Sequence, residues 1–184
     1  MDHKQNKLEN PERLAELSPK ETLKRIGLGE QDLICDIGAG SGIFTIPAAK
    51  ITKNTVFALE INDEFLDVIK EKARNENLTN IITMKVMDKH YEINSDTVDV
   101  IILVTVLHEI DDKPALLTEC RRIMKSKAKL AIIEFHKRQT PMGPPVLHRL
   151  GKEEVIEMCE MVGLKKSFEF DLGENLFCLL LENV

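Results

Sequence analysis

Leu33-Ile34-Cys35-Asp36-Ile37-Gly38-Ala39-Gly40-Ser41-Gly42 is the stretch on which the reading of this chain turns. Its first five residues have the apolar content of a buried strand and run straight into three glycines at alternate positions, and residues 43–50 have the length and apolar content of a helix. Glycines let backbone approach a ligand closely and let N–H groups point outward, so a turn of this kind between strand and helix is a place for a nucleotide-like cofactor. The dinucleotide fingerprint GxGxxG needs its third glycine at position 43, which is Ile43 here, and the spacing is instead GxGxG behind an acid. An NAD-binding oxidoreductase is disfavoured on that ground.

Upstream of the turn, Asn10-Pro11 reads as an N-cap followed by proline at the first helical position. Ser18-Pro19-Lys20-Glu21 repeats the device, with glutamate where a capping box needs it. Two short helices therefore precede Gly27. Downstream, residues 55–59 form a second strand ended by Glu60, and Asn62 caps a helix one face of which is marked by Phe65, Val68, Ile69, Lys72 and Ala73. Strands follow at residues 81–87, 98–104 and 130–135, with a helix opened by Pro114 before the last of them. The alternation of strand and helix predicts a parallel sheet covered on both faces. A loop at 139–150 holds three of the seven prolines, and a helix over 152–162 ends at Gly163. Two alternating segments, 167–172 and 177–181, flank Gly173-Glu174-Asn175 as a hairpin, so the sheet is expected to end on an antiparallel strand.

A length of 184 residues predicts one domain, 1–184. Lys plus Arg number 25 against 31 Asp plus Glu, and the formal charge of −6 argues against a phosphate backbone as the main partner. No nucleic acid and no membrane are expected, since the longest apolar runs fall far short of the roughly 18 residues of a span. A cytoplasmic location is expected. The four cysteines, at 35, 120, 159 and 178, show no metal-ligand spacing and read as reduced core residues, so no metal site is expected.

The acid-GxGxG turn resembles that of the class I S-adenosylmethionine-dependent methyltransferases. Val98-Asp99-Val100-Ile101-Ile102 is similar to the family's fourth-strand motif, Val106-Leu107-His108-Glu109-Ile110 to a VLHHI-type segment, and Glu119-Cys120-Arg121-Arg122-Ile123-Met124-Lys125 to an E-x-x-R-V-L-K helix end. Among family members these segments resemble the small methyltransferases related to quinone-biosynthesis C-methyltransferases. Ser126-Lys127-Ala128 stands where Pro-Gly-Gly is usual, a departure that touches local turn geometry only. The resemblance implies a Rossmann-like, doubly wound, mostly parallel sheet of about seven strands with a terminal antiparallel hairpin strand. It also implies S-adenosylmethionine as cofactor, with Gly38, Ala39, Gly40 and Gly42 wrapping its amino-acid end and Asp36 receiving that end. Glu60, followed by Ile61, would meet the ribose hydroxyls, Asp88 the adenine amino group, and the backbone at Leu103 and Val104 the methionine portion. The segment 1–27 would be a helical lid, with Leu14 and Leu17 over apolar cofactor surface.

Methyl transfer from a sulfonium is an in-line displacement that relies on alignment and exclusion of water, with a base added when the acceptor is an acidic oxygen, nitrogen or carbon. His108, past the fourth strand, is the candidate base or acceptor contact; a histidine that only packs near the cofactor is the bland alternative. Glu109 shares that position, and His136 ends the fifth strand. Pro144, Pro145 and Arg149 form the other candidate acceptor wall, in which Arg149 either pairs with an anionic acceptor or closes a rigid crossover through a surface ion pair. The function expected is methyl transfer to a small-molecule acceptor. A silent cofactor-binding subunit that activates a partner, and an RNA or protein methyltransferase, are the alternatives. The sequence leaves the oligomeric state, monomer or homodimer, open.

Overall fold

In the computed structural model, which describes residues 3–86 and 90–183, Asn10 caps the helix that follows it: its side chain accepts from the N–H groups of Glu12 and Arg13. Ser18 behaves otherwise. It closes one helix in the left-handed conformation (φ 37°) while opening the next, so its hydroxyl turns back to donate to the Ala15 carbonyl and the expected capping box does not form. Glu21 pairs with Lys24 instead. Residue contacts divide the chain into two units, 1–87 and 88–184.

The first unit runs α1 (His3–Leu8), α2 (Pro11–Leu17), α3 (Pro19–Ile26), β1 (Ile34–Ile37), α4 (Thr45–Ile51), β2 (Val56–Glu60), α5 (Asp63–Asn75) and β3 (Ile81–Lys85). Its strands pair in parallel in the order β3-β2-β1. All four residues of β1 are buried, Asp36 included, as befits a strand of a parallel sheet covered on both faces. Helix α5 packs on β2 and β3 through Ile69, which meets Ala39, Ala58 and Ile81. A side chain at Gly42 (φ 81°) would come within 3.0 Å of Ile69, so glycine at that position lets the turn lie flat on α5.

The second unit runs β4 (Val98–Val104), α6 (Lys113–Ile123), β5 (Met124–Phe135), α7 (Lys152–Met161), β6 (Leu164–Leu172) and β7 (Leu176–Asn183). β4 and β5 are parallel, β7 is antiparallel to β5, and β6 closes the hairpin on β7. β5 begins six residues before the expected 130, because Ser126-Lys127-Ala128 is drawn into the strand. Lys127 sits at φ 64° and the register against β4 slips between Val98 and Val100, so a bulge stands where a turn was expected. Among the described residues seven strands, mostly parallel and antiparallel at the end, match the expected fold class. The four cysteines are free and buried. Among the described residues no helix is long and apolar enough to cross a membrane.

Candidate functional sites

In the first unit the glycine turn bends under the end of β2. Gly38 and Ala39 both donate to the Leu59 carbonyl, at 2.8 and 3.0 Å, and Gly42 donates to Ala39. These N–H groups are therefore engaged by protein, and the expectation that the turn presents them outward is corrected for these three residues. Gly40 differs: its N–H donates to Oε2 of Glu60 at 2.8 Å, while Oε1 of Glu60 accepts from Ile61 and Asn62. Glu60 thus ends β2 as a nearly buried carboxylate shared between the turn and the start of α5, and the Ile61 side chain is exposed. Asp88 lies outside the described residues.

Asp36 lies behind the turn with 2% exposure. The Thr45 hydroxyl donates to its Oδ2 at 2.6 Å, yet burial pushes the Asp36 carboxyl up to about 7, with the Glu60 charge adding to the rise. Lack of compensating positive charge thus leaves the group partly protonated near neutral pH. Thr45 was missed as its partner, although a hydroxyl in the first turn of the following helix is the sequence signal for it.

Helix α1 overlies the same turn. A side chain at Gly40 (φ 52°) would meet Leu8 Cδ1 at 3.0 Å, and Lys72 Nζ bridges Glu9 Oε1 at 2.7 Å and the Ser41 carbonyl at 2.8 Å. Leu8 is therefore the apolar residue over the turn. Leu17, expected there, is fully buried, and Leu14 is half-buried.

In the second unit, Leu103 and Val104 are buried at the end of β4, and Thr105 follows at φ 55° with its N–H donating to Ile133. This left-handed turn sends the chain into a short 3-10 segment, Leu107–Glu109, which carries His108. Nδ1 of His108 lies 2.7 Å from Oε2 of Glu134 on β5, and the His108 N–H donates to Oε1. Burial alone pulls the imidazole down; the hydrogen bond to Glu134 and the charges of Glu134 and Glu109 outweigh burial and the opposing Lys113, so its pKa is raised. With Glu134 ionised, Nδ1 carries the proton and Nε2 the lone pair. Glu134 was missed in the sequence, where a single acid inside Leu130-Ala131-Ile132-Ile133-Glu134-Phe135 was the available signal, since a carboxylate in a buried strand needs a partner.

A cavity of about 480 Å³ opens beside this pair, lined by His108, Glu109 and Lys113 on one side and by Lys137, Pro144 and Leu147 to Leu150 on the other. His108, Pro144 and Arg149 are thus brought together, whereas Pro145 does not line it. Arg149 is 5% exposed and its guanidinium donates to the carbonyls of Pro144, His136, Arg138 and Met142 and to the Thr140 hydroxyl. It stacks over Phe135, whose ring would lie 2.6 Å from a side chain at Gly143. Arg149 therefore ties the proline loop to β5 as a rigid crossover, held by loop carbonyls and Thr140 in place of the surface ion pair expected. His136 rests on Phe177 and does not line the cavity.

Residues 35–132 match the family described as Methyltransferase domain. Over 126 residues the chain is 27% identical to a demethylmenaquinone methyltransferase of Lactobacillus johnsonii, a match that covers 67% of this chain and 52% of that enzyme. The chain spans about half the length of the curated relatives it matches. The crystal structure of a SAM dependent methyltransferase from Aquifex aeolicus is similar with a TM-score of 0.92 and 28% identity, covering 100% of both chains. A type 11 methyltransferase from Sulfolobus solfataricus has a TM-score of 0.76 and 27% identity over 90% of this chain and 91% of that one. By the match that takes in β1, the glycine turn, β4 and most of β5, the chain belongs to the methyltransferase domain family.

Proposed function

We propose that residues 1–184 act as one S-adenosylmethionine-dependent methyltransferase domain with a small-molecule acceptor, working in the cytoplasm. The first unit would hold the cofactor through Asp36, the turn at Gly38, Ala39, Gly40 and Gly42, and Glu60 with Ile61. The second carries Leu103 and Val104, proposed for the methionine portion, at the end of β4, and would take the acceptor in the cavity at His108. Asp36 is the observation that carries the reading. A carboxyl closed off from water and raised to about 7 fits a cationic ligand, because the ammonium end of this cofactor would supply the charge that Thr45 does not. The second carboxylate, Glu60, has oxygens aimed at backbone N–H groups beside the turn and suits a ligand with neighbouring hydroxyls.

The bound cofactor supplies a methyl group on a sulfonium whose leaving group is already activated. What remains for the chain is to hold, to exclude water and to manage a proton. His108 does the last: Glu134 fixes its ring with Nδ1 inward, so that Nε2 is the basic atom left for an acceptor. Pro144 and Leu147 line the cavity with apolar surface, and Arg149 keeps their loop in place. A cavity of about 480 Å³ is in the range of small-molecule sites. Calorimetry with S-adenosylmethionine and its demethylated product tests the cofactor assignment. One-to-one binding of both is expected, and absence of binding would overturn it.

A further inference from the structure

The cavity beside His108 holds cations whose partners differ. Lys137 is paired with Glu154 at 2.7 Å, and Arg149 is committed to loop carbonyls and Thr140. His148 is exposed. Lys113 stands apart: among the described residues its Nζ donates to the Ile110 carbonyl at 2.6 Å and forms no ion pair. It is also the first residue of α6, where the positive end of the helix disfavours a cation. Neither helix stability nor a carboxylate therefore accounts for an ammonium here. What it does share is the cavity wall with His108, close enough for its charge to oppose protonation of the imidazole.

We propose that Lys113 is a second catalytic group, whose ammonium holds the oxygen of an acceptor bearing an ionisable hydroxyl while His108 removes the proton. The proposal rests on reading this cavity as the acceptor site. In the step, the acceptor O–H bond breaks, its proton passes to Nε2 of His108, and the electron pair stays on the oxygen beside Nζ of Lys113. The imidazolium so formed keeps its Nδ1–H on Glu134. The groups facing His108 are Glu134 from β5, Glu109 from its own turn and Lys113 from α6, so removing the ammonium leaves two carboxylates unopposed. An acceptor anion is then worse held and the base harder to keep neutral, both in the same variant.

The test needs no turnover. 4-Nitrophenol, whose neutral and ionised forms absorb at different wavelengths, is titrated into the full chain and into Lys113→Gln, Lys113→Arg and Lys113→Met, with folding checked by thermal melting. Wild type is expected to bind the phenolate and to shift its ionisation to lower pH. Lys113→Gln and Lys113→Met should weaken binding at least tenfold and return the ionisation to that of the free phenol, with Lys113→Arg retaining most of the effect. The His108 ring, followed by NMR, should titrate at higher pH in Lys113→Met. Equal phenolate binding by wild type and the glutamine and methionine variants would overturn the role of Lys113 and leave the cavity reading standing. No binding by wild type would overturn the cavity reading, and this proposal with it.

Discussion

Oε2 of Glu134 stands 2.7 Å from Nδ1 of His108, with the two side chains 1% and 8% exposed. A carboxylate so enclosed beside an imidazole fixes the tautomer and steadies the charge that the ring gains when it takes a proton. Because the His108 pKa is raised, the acid limb of the rate profile should lie above the ordinary histidine value of about 6.5. Glu134→Gln keeps the shape and removes the charge. It should lower kcat by roughly 10- to 100-fold and move the acid limb to lower pH. A pH–rate profile that superposes on wild type would remove Glu134 from the mechanism. The linkage to folding has a definite sign: the pair's contribution is fully present below the unfolded-state value and is lost as pH rises through the raised folded value.

Asp36 couples cofactor binding to a proton. Its carboxyl is raised to about 7, so near neutral pH it is partly protonated, and a cationic ligand must meet the ionised form. Cofactor binding should therefore release a proton around pH 7, seen as a calorimetric enthalpy that changes with the ionisation enthalpy of the buffer, and affinity should fall as pH drops below 7. Asp36→Asn should abolish the proton release. Buffer-independent enthalpies at pH 6.5 and 7 would show that Asp36 does not titrate with the ligand.

Gly40 and Glu60 are joined by one hydrogen bond, so their variants report on one cradle. Gly40→Val forces a branched side chain to a φ of 52° and against Leu8. Glu60→Ala strips the acceptors from Gly40, Ile61 and Asn62. Each should weaken S-adenosylmethionine binding at least tenfold, about 1.4 kcal/mol or more. Normal affinity in both variants would move the cofactor away from the turn.

The strand–turn–helix at 33–50 was legible because glycine periodicity, a preceding acid and a buried apolar run all point the same way. The hairpin at Gly173-Glu174-Asn175 was legible through its turn chemistry. What escaped were relations across sequence distance. Glu134 and His108 are 26 residues apart and meet only once the end of β5 lies under the 3-10 segment after β4. Arg149 looked like an anion anchor because its charge is visible in the sequence, while the loop carbonyls that accept from it are not. Ser18 failed as a cap because one residue had to end a helix and begin another.

That role for Arg149 separates stability from substrate binding. Arg149→Ala removes donors from four carbonyls and the Thr140 hydroxyl and empties the space over Phe135. A loss of about 2–4 kcal/mol in unfolding free energy is expected. His108→Ala, by contrast, should lower kcat with little change in cofactor affinity. If Arg149→Ala melts like wild type and only raises the acceptor KM, the guanidinium contacts substrate after all.

Helix α1 closes on the turn through Leu8 and the Lys72 bridge between Glu9 and Ser41. Cutting the chain at Gly27 is a poor test, because Leu17, Leu23 and Ile26 are all but fully buried, and losing about 1.5–3 kcal/mol for each approaches the whole stability of a domain. Removing residues 1–9 is the sharper one, since it takes away α1 and Glu9 and leaves α2, α3 and the Asn10 cap. If α1 shields bound cofactor, this deletion should leave the melting temperature nearly unchanged while speeding dissociation of S-adenosylhomocysteine by roughly tenfold, measured by stopped-flow displacement. Leu8→Ala should give a smaller change in the same direction, and Lys72→Met should reproduce the part that comes from the Glu9 and Ser41 bridge. Dissociation at the wild-type rate in the deletion would mean that α1 rests on the turn without gating it.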